Sequence, residues 1–329
     1  MDTDIVTTTA PSPTLRRLLD QDLGFSPSYR RVYSNHLAMS LVALEQLGAG
    51  DDTLAQTFDR YAADLGTEPR DDGAALDEQI AQVTRDGIAA TVATRVPGLA
   101  DGPATALFHP LIRLAYALDV GHPGQVAAAL LDWQRRHETL PTPAPTPGAR
   151  RLVDVAADLA AQPPGTWPET FDLDALARRP EVADALREVA LDAHTLDDVS
   201  DFAIAAHVTA EAFVTLHLVT GARAIRAVAA LLDSADGERL AASAVPAMAV
   251  GYAAVGAPAL LAPADLDTVR RAPVPTRETI AERAVTEHDP HVIKLANVAL
   301  VEEQRTGDPL YRYAAARAVG LAPPVHEIL

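Results

Sequence analysis

Residues 34–48 read Ser34-Asn35-His36-Leu37-Ala38-Met39-Ser40-Leu41-Val42-Ala43-Leu44-Glu45-Gln46-Leu47-Gly48. Leucines 37, 41, 44 and 47 recur at spacings of four and three, which places them on one stripe of an α-helix. Ser34 or Asn35 can cap its start, and Gly48 supplies the stop. The same grammar continues over 53–65, 76–92, 104–118 and 125–136. It resumes near residue 150, with a long helix predicted over 198–232 and others over 238–255, 277–286, 290–304 and 309–319. No alternating β-branched run bounded by turn signals is found, so the expected fold is all-α, a single multi-helix domain without a sheet. Residues 1–13 read as a disordered tail. The stretch 140–149, with proline at alternate positions from Pro141 to Pro147, forbids helix and reads as an extended internal linker.

Composition narrows the function. Of the 329 residues, 48% are hydrophobic, enough for a sizeable core. A formal charge of −18 argues against nucleic acid and against a polybasic membrane contact, both of which need clustered cations. There is no cysteine, hence no disulfide, thiolate metal site or cysteine nucleophile. With an acidic start in place of a basic leader, a cytoplasmic setting is expected. Residues 241–264 carry no charge but are rich in Ala and Gly and broken by three prolines. They read as buried helix packed through small side chains, not as a membrane span.

The basic residues are almost all arginine; the single lysine is Lys294, in His288-Asp289-Pro290-His291-Val292-Ile293-Lys294. A lysine amine can be neutralised by its surroundings, whereas a guanidinium cannot. Asp289 and Pro290 mark a helix start, so His291 and Lys294 share its opening turns. There the partial positive charge of the helix disfavours an ammonium and favours an anion. A neutral Lys294 could take up carbon dioxide as a carbamate, an anionic oxygen ligand.

Among the ten histidines, His122, His137 and His326 read as surface residues, and His194 as paired within its acidic stretch. His36 opens an apolar helix. His109 precedes Pro110 at another helix start, with Arg113 and Tyr116 on its face. His217 lies mid-helix among Ala210, Phe213, Gly221 and Ala224. His207, ten residues earlier on the same predicted helix, falls roughly 80° around from it and can pair with Glu211. For each histidine singly, a satisfied core residue is the alternative.

Four segments in order resemble the questin oxidase family and its bacterial relatives: Asn35-His36-Leu37-Ala38-Met39, Phe108-His109-Pro110-Leu111-Ile112-Arg113, Leu216-His217-Leu218-Val219-Thr220-Gly221 and His291-Val292-Ile293-Lys294-Leu295. The resemblance implies a non-haem iron oxygenase that uses dioxygen to oxidise or cleave a ring of an anthraquinone-like polyketide. It implies iron held by His36, His109, His217, His291 and a carboxylated Lys294, with His207 and His288 the nearest competitors for those places. By ligand type alone, manganese, zinc or copper would also fit. Arg113 and Tyr116 are candidates to contact a phenolate or quinone oxygen, against an internal ion pair and core packing. Asn297 is a candidate to hydrogen-bond the carbamate.

The rival readings are a metal-dependent hydrolase with a carboxylated lysine, which needs further Asp or His ligands, and a non-catalytic helical interaction protein. Gly48-Ala49-Gly50 follows a helix, not a strand, so it is no nicotinamide or flavin fingerprint.

Overall fold

The Leu37 stripe forms the helix Leu37–Gln46, and every residue from Leu37 to Leu44 is buried. A helix buried all round belongs at the centre of a fold rather than on its surface. In the computed structural model, which describes residues 10–29, 33–65, 70–142, 147–163, 165–167 and 172–329, that is its place. Leu37–Gln46 packs on His109–Asp119, which packs on Phe213–Ala229. That helix packs on Pro290–Thr306, which returns to Leu37–Gln46 and closes a ring of four. An outer layer covers the ring. Pro13–Asp22 and Asp51–Leu65 lie on the first helix and Pro123–Arg136 on the second. Thr195–Ala210 and Ser234–Ala253 lie on the third, Arg277–Val285 and Pro309–Ala318 on the fourth.

A closed set of polar contacts, most of its members buried, ties the same four helices together. Arg223 donates to Asp119 Oδ1 (2.5 Å), and its guanidinium lies 5.6 Å from the centroid of the Tyr116 ring. Tyr116 donates to Asn297 Oδ1 (3.1 Å), Asn297 to Gln46 Oε1 (3.0 Å), and Gln46 to Asp119 Oδ2 (3.3 Å). Such a network favours one arrangement of the helices, because a slipped helix would orphan buried Tyr116, Asp119 and Asn297 at once.

The all-α expectation holds with small exceptions. Ser28–Tyr29 pairs antiparallel with Tyr33–Ser34, a two-strand sheet that short alternation could not announce. Pro147–Arg150 is extended, as the proline stretch requires, and Arg150 bridges Val189; residues 143–146 lie outside the described residues. Residues 1–9 of the expected tail lie outside them too. The structured chain nevertheless begins before residue 14, with Pro11 buried and Ser12 capping Pro13–Asp22 by accepting the Leu15 N–H (3.0 Å).

Three long predicted helices are broken by left-handed residues. The 76–92 reading splits at Gly87 (φ +85°). The 104–118 reading begins only at His109, because Ala106, Leu107 and Phe108 have φ of +47°, +56° and +66°. The 198–232 reading splits at Glu211 (φ +44°), between Thr195–Ala210 and Phe213–Ala229. Non-glycine residues in this region cost roughly 1–3 kcal/mol each and cluster where function needs them. The uncharged stretch is buried helix up to Ala253, running through Pro246. A Cβ at Gly251 would sit 2.7 Å from Leu218 Cδ2, so small residues do set its packing. No helix among the described residues is long and apolar enough to cross a membrane.

Candidate metal centre

The four ring helices present their N-terminal ends to one point. His36 is the N-cap of Leu37–Gln46, His109 the first residue of its helix and His291 the second of Pro290–Thr306; His217 lies one turn into Phe213–Ala229. One ring nitrogen from each histidine lies within 4.8 Å of the others. The imidazoles form a closed square, with centroids 4.8 Å apart for His36–His109, 4.8 Å for His109–His217, 5.3 Å for His217–His291 and 4.6 Å for His291–His36. The left-handed turn before His109 has a visible purpose. It brings the Ala106 carbonyl to 2.6 Å from His109 Nδ1. It also seats Phe108 against Gly221, where a Cβ would lie 2.8 Å from the ring.

Each Nδ1 is held from outside the square. His109 donates to Ala106 O, His217 to Phe213 O (2.9 Å) and His291 to Asp289 Oδ1 (3.1 Å), while His36 Nδ1 meets the Tyr61 hydroxyl (3.2 Å). A carbonyl or carboxylate only accepts, so the first three rings carry their proton on Nδ1 and a lone pair on Nε2. His36 Nε2 and His109 Nε2 are 2.8 Å apart, and Nε2 of His217 and of His291 is buried without a partner. Lys294 Nζ is likewise buried and unpartnered, on a side chain that is 0% exposed. Lone pairs converging on one point, each ring oriented from behind, make a donor set that could hold a metal ion. The residues fit one.

Burial sets the charge states. It pushes His36, His109 and His217 well below the usual histidine range, with Lys294 a further cause for each. His291 is also lowered by burial. Burial brings the Lys294 amine down to about 7; Asp289 opposes this and Arg113 adds to it. His207 falls to about 4 for want of solvent. All of these histidines are neutral in the fold and titrate near 6.5 once unfolded, so the unfolded chain binds more protons below that pH. Each histidine that stays neutral then removes about 1.4 kcal/mol of stability per pH unit. Asp198 and Asp201, pushed up by burial, oppose this only near the carboxylate range. The metal-free protein should therefore lose stability steeply between about pH 6.5 and 5. A urea midpoint that stays level across that window would show that the imidazoles are not held neutral.

Several expectations need correction. His207 neither pairs with Glu211 nor joins the square: its Nδ1 faces Thr215 Oγ1 (3.2 Å), while Glu211 binds Arg317. The angular argument for separating it from His217 assumed one helix and fails at Glu211. His288 is exposed and apart from the square. His122 is buried, not a surface residue. It caps Pro123–Arg136 by accepting the Gln125 N–H (3.1 Å) and meets Asp20 at 3.2 Å. His194 is exposed, and the acids of its stretch are engaged elsewhere: Asp192 binds Arg151 and takes only the backbone N–H of His194, Asp197 binds Arg226, and Asp198 accepts the Leu152 N–H. Asn297 accepts from Tyr116 and donates to Gln46, and Lys294 is not among its hydrogen-bond partners. Tyr116 is buried in that network, and Arg113 donates to the Asn35 carbonyl (2.7 Å). Neither lines the large cavity beside the square.

That cavity has a volume of about 1100 Å³ and reaches His36, His109 and His291. Phe213, 46% exposed, stands at its edge with its ring 4.5 Å from His217 and 4.9 Å from His291. Tyr33 and Arg136 also line it. The sequence reading missed Tyr61, Phe213 as a wall and Arg136. None of them repeats at a helical period that would single it out.

Fold and site thus define a helical protein with a buried centre able to hold a metal ion between four helix ends. Residues 76–299 match the Questin oxidase-like family, and the chain belongs to that family. The match contains His109, His217, His291 and Lys294; His36 lies before it and is brought in by the fold. Membership implies an oxidoreductase acting on a small molecule. A comparison with curated proteins finds no match.

Proposed function

We propose that the protein is a non-haem iron oxygenase that uses dioxygen to oxidise or cleave a ring of a polycyclic aromatic, anthraquinone-like polyketide. The carrying observation is the square of neutral imidazoles beside a buried, partnerless lysine. Imidazole with one anionic oxygen ligand suits ferrous iron, with manganese, zinc or copper as outcomes of the same test. When bound, iron supplies the one-electron steps that let dioxygen react with a closed-shell aromatic ring.

The chain does the rest. His36, His109, His217 and His291 hold the ion, their outer hydrogen bonds fixing tautomer and direction. Lys294, neutral above about pH 7, attacks carbon dioxide through Nζ, loses a proton and becomes a carbamate. Its single negative charge offsets part of the dication's in a poorly solvated place. Arg113 is buried, and no carboxylate among the described residues lies within ion-pair distance of it. It then acts as a countercharge to the carbamate instead of touching substrate. The cavity takes the aromatic rings, with Phe213 as a flat wall.

A binuclear hydrolase would need a second set of ligands; among the described residues one cluster able to hold an ion is found, and Asp289 is committed to His291. Elemental analysis of protein prepared without chelator or nickel is expected to give about one iron per chain. A folded preparation that refuses metal on anaerobic reconstitution would overturn the reading, and a ratio near two would favour the hydrolase.

A further inference from the structure

The cavity beside the square is mostly apolar and aromatic, yet one arginine enters its wall. Arg136 is the last residue of Pro123–Arg136 and, among the described residues, the sole Arg or Lys lining the cavity. Asp132, one turn earlier and buried, takes Nη2 at 2.6 Å and so holds the guanidinium in position. Nε is buried with no partner. A guanidinium carries five N–H donors, and this one pairing leaves most of them uncommitted. Its charge reaches His109, which places it near the square as well as in the wall. Of the three acids that line it among the described residues, two are engaged elsewhere. Asp174 binds Arg178 (2.9 Å), Asp172 caps Leu173–Ala177, and Glu138 is exposed.

We propose that Arg136 is an anion subsite within this cavity, gripping a phenolate or carboxylate oxygen of the substrate and deciding which edge of the ring system meets the histidines. The proposal rests on the cavity being the site of a polycyclic aromatic substrate. Polyhydroxylated rings and aromatic acids carry such an oxygen, and planar charge-assisted contacts are what guanidinium does best. Arg136 also explains how a slot with flat hydrophobic walls avoids binding its ligand in several rotations: apolar walls supply affinity, and a placed charge supplies orientation.

The test is calorimetric titration of the metal-loaded protein with anthraquinone-2-carboxylate and, separately, anthraquinone-2-carboxamide. The carboxylate is expected to bind roughly 10- to 100-fold more tightly, the range of one charge-assisted hydrogen bond. In Arg136→Gln that preference should vanish while carboxamide binding stays unchanged, which also shows that the variant is folded. Arg136→Lys should restore part of it. Equal binding of both probes by the wild type, or a preference that survives Arg136→Gln, overturns the subsite and leaves the aromatic cavity standing. Binding of neither probe overturns the substrate reading, and the subsite with it.

Discussion

The Lys294→Arg protein is expected to be inactive and metal-poor. Arginine keeps the charge and nearly the length of lysine, but a guanidinium cannot become a carbamate. Lys294 lies wholly inside the protein on the same helix face as His291, so the replacement leaves a cation where the proposed carbamate would place an anion. At an effective dielectric of about 20, two like charges 4 Å apart repel by about 4 kcal/mol per unit charge, and a dication doubles the problem. Lys294→Ala should also be inactive, but the space it opens can admit formate, acetate or bicarbonate, and partial rescue by one of these is expected. Metal content and turnover, measured side by side with and without the added anion, decide the matter. An electron-density map with a bare amine beside a fully bound metal would refute the carbamate. Full activity of Lys294→Arg would remove Lys294 from the chemistry altogether.

His217→Ala should lose metal while His207→Ala keeps it. Both residues are buried, so burial does not distinguish them. What does is the direction of the lone pair: His217 Nε2 opens into the square with nothing to meet, whereas His207 Nδ1 already has Thr215. Changing groups behind a ligand commonly costs about 10- to 100-fold in metal affinity, so removing the ligand itself should exceed about 100-fold. His207→Ala should instead act on the fold. It removes a neutral imidazole that titrates near 4 and so flattens part of the acid-side loss of stability. Competition against a coloured chelator reads the first effect, and urea midpoints at two pH values read the second. The reverse pattern, with metal lost from His207→Ala alone, would mean that the wrong side of the Glu211 break had been assigned.

Much of this architecture was legible in the residues, and the failures are instructive. The helices came from spacing and caps, and those ending in strong signals, such as Asp289-Pro290, began where expected. One break fell at Gly87, where the glycine itself was the overlooked signal; the others fell at Glu211 and at Ala106 to Phe108, where ordinary residues adopt left-handed backbone with no glycine to warn of it. Propensity reads local preference, and at these positions tertiary context overrides it to aim His109 and to seat Phe213 beside His217. The histidine square was read through a family likeness as much as from spacing, since each histidine alone passes for a core residue. Gln46, Asp119 and Arg223 were not readable. Their partners lie on other helices, and Gln46 to Asn297 spans 251 positions. The cavity was beyond reach for the same reason: its wall gathers residues from Tyr33 to His291, so no local window contains it.

That wide scatter of contacts also says something about timing. His36 and His291 lie almost in ring contact, yet nearly the whole chain separates them. Bringing distant segments together adds only about 0.6 kcal/mol for each doubling of the loop, but it slows folding severely. A chain leaving the ribosome can form Leu37–Gln46, His109–Asp119 and even Phe213–Ala229 while the fourth side of the ring does not yet exist. Until Pro290–Thr306 arrives, Leu37–Gln46 and Phe213–Ala229 lack the helix that joins them, and the imidazoles have neither their fourth member nor their lysine. The centre takes His291 and Lys294 from that last side, so the metal proposed for it should be retained only by a chain that has closed the ring around it.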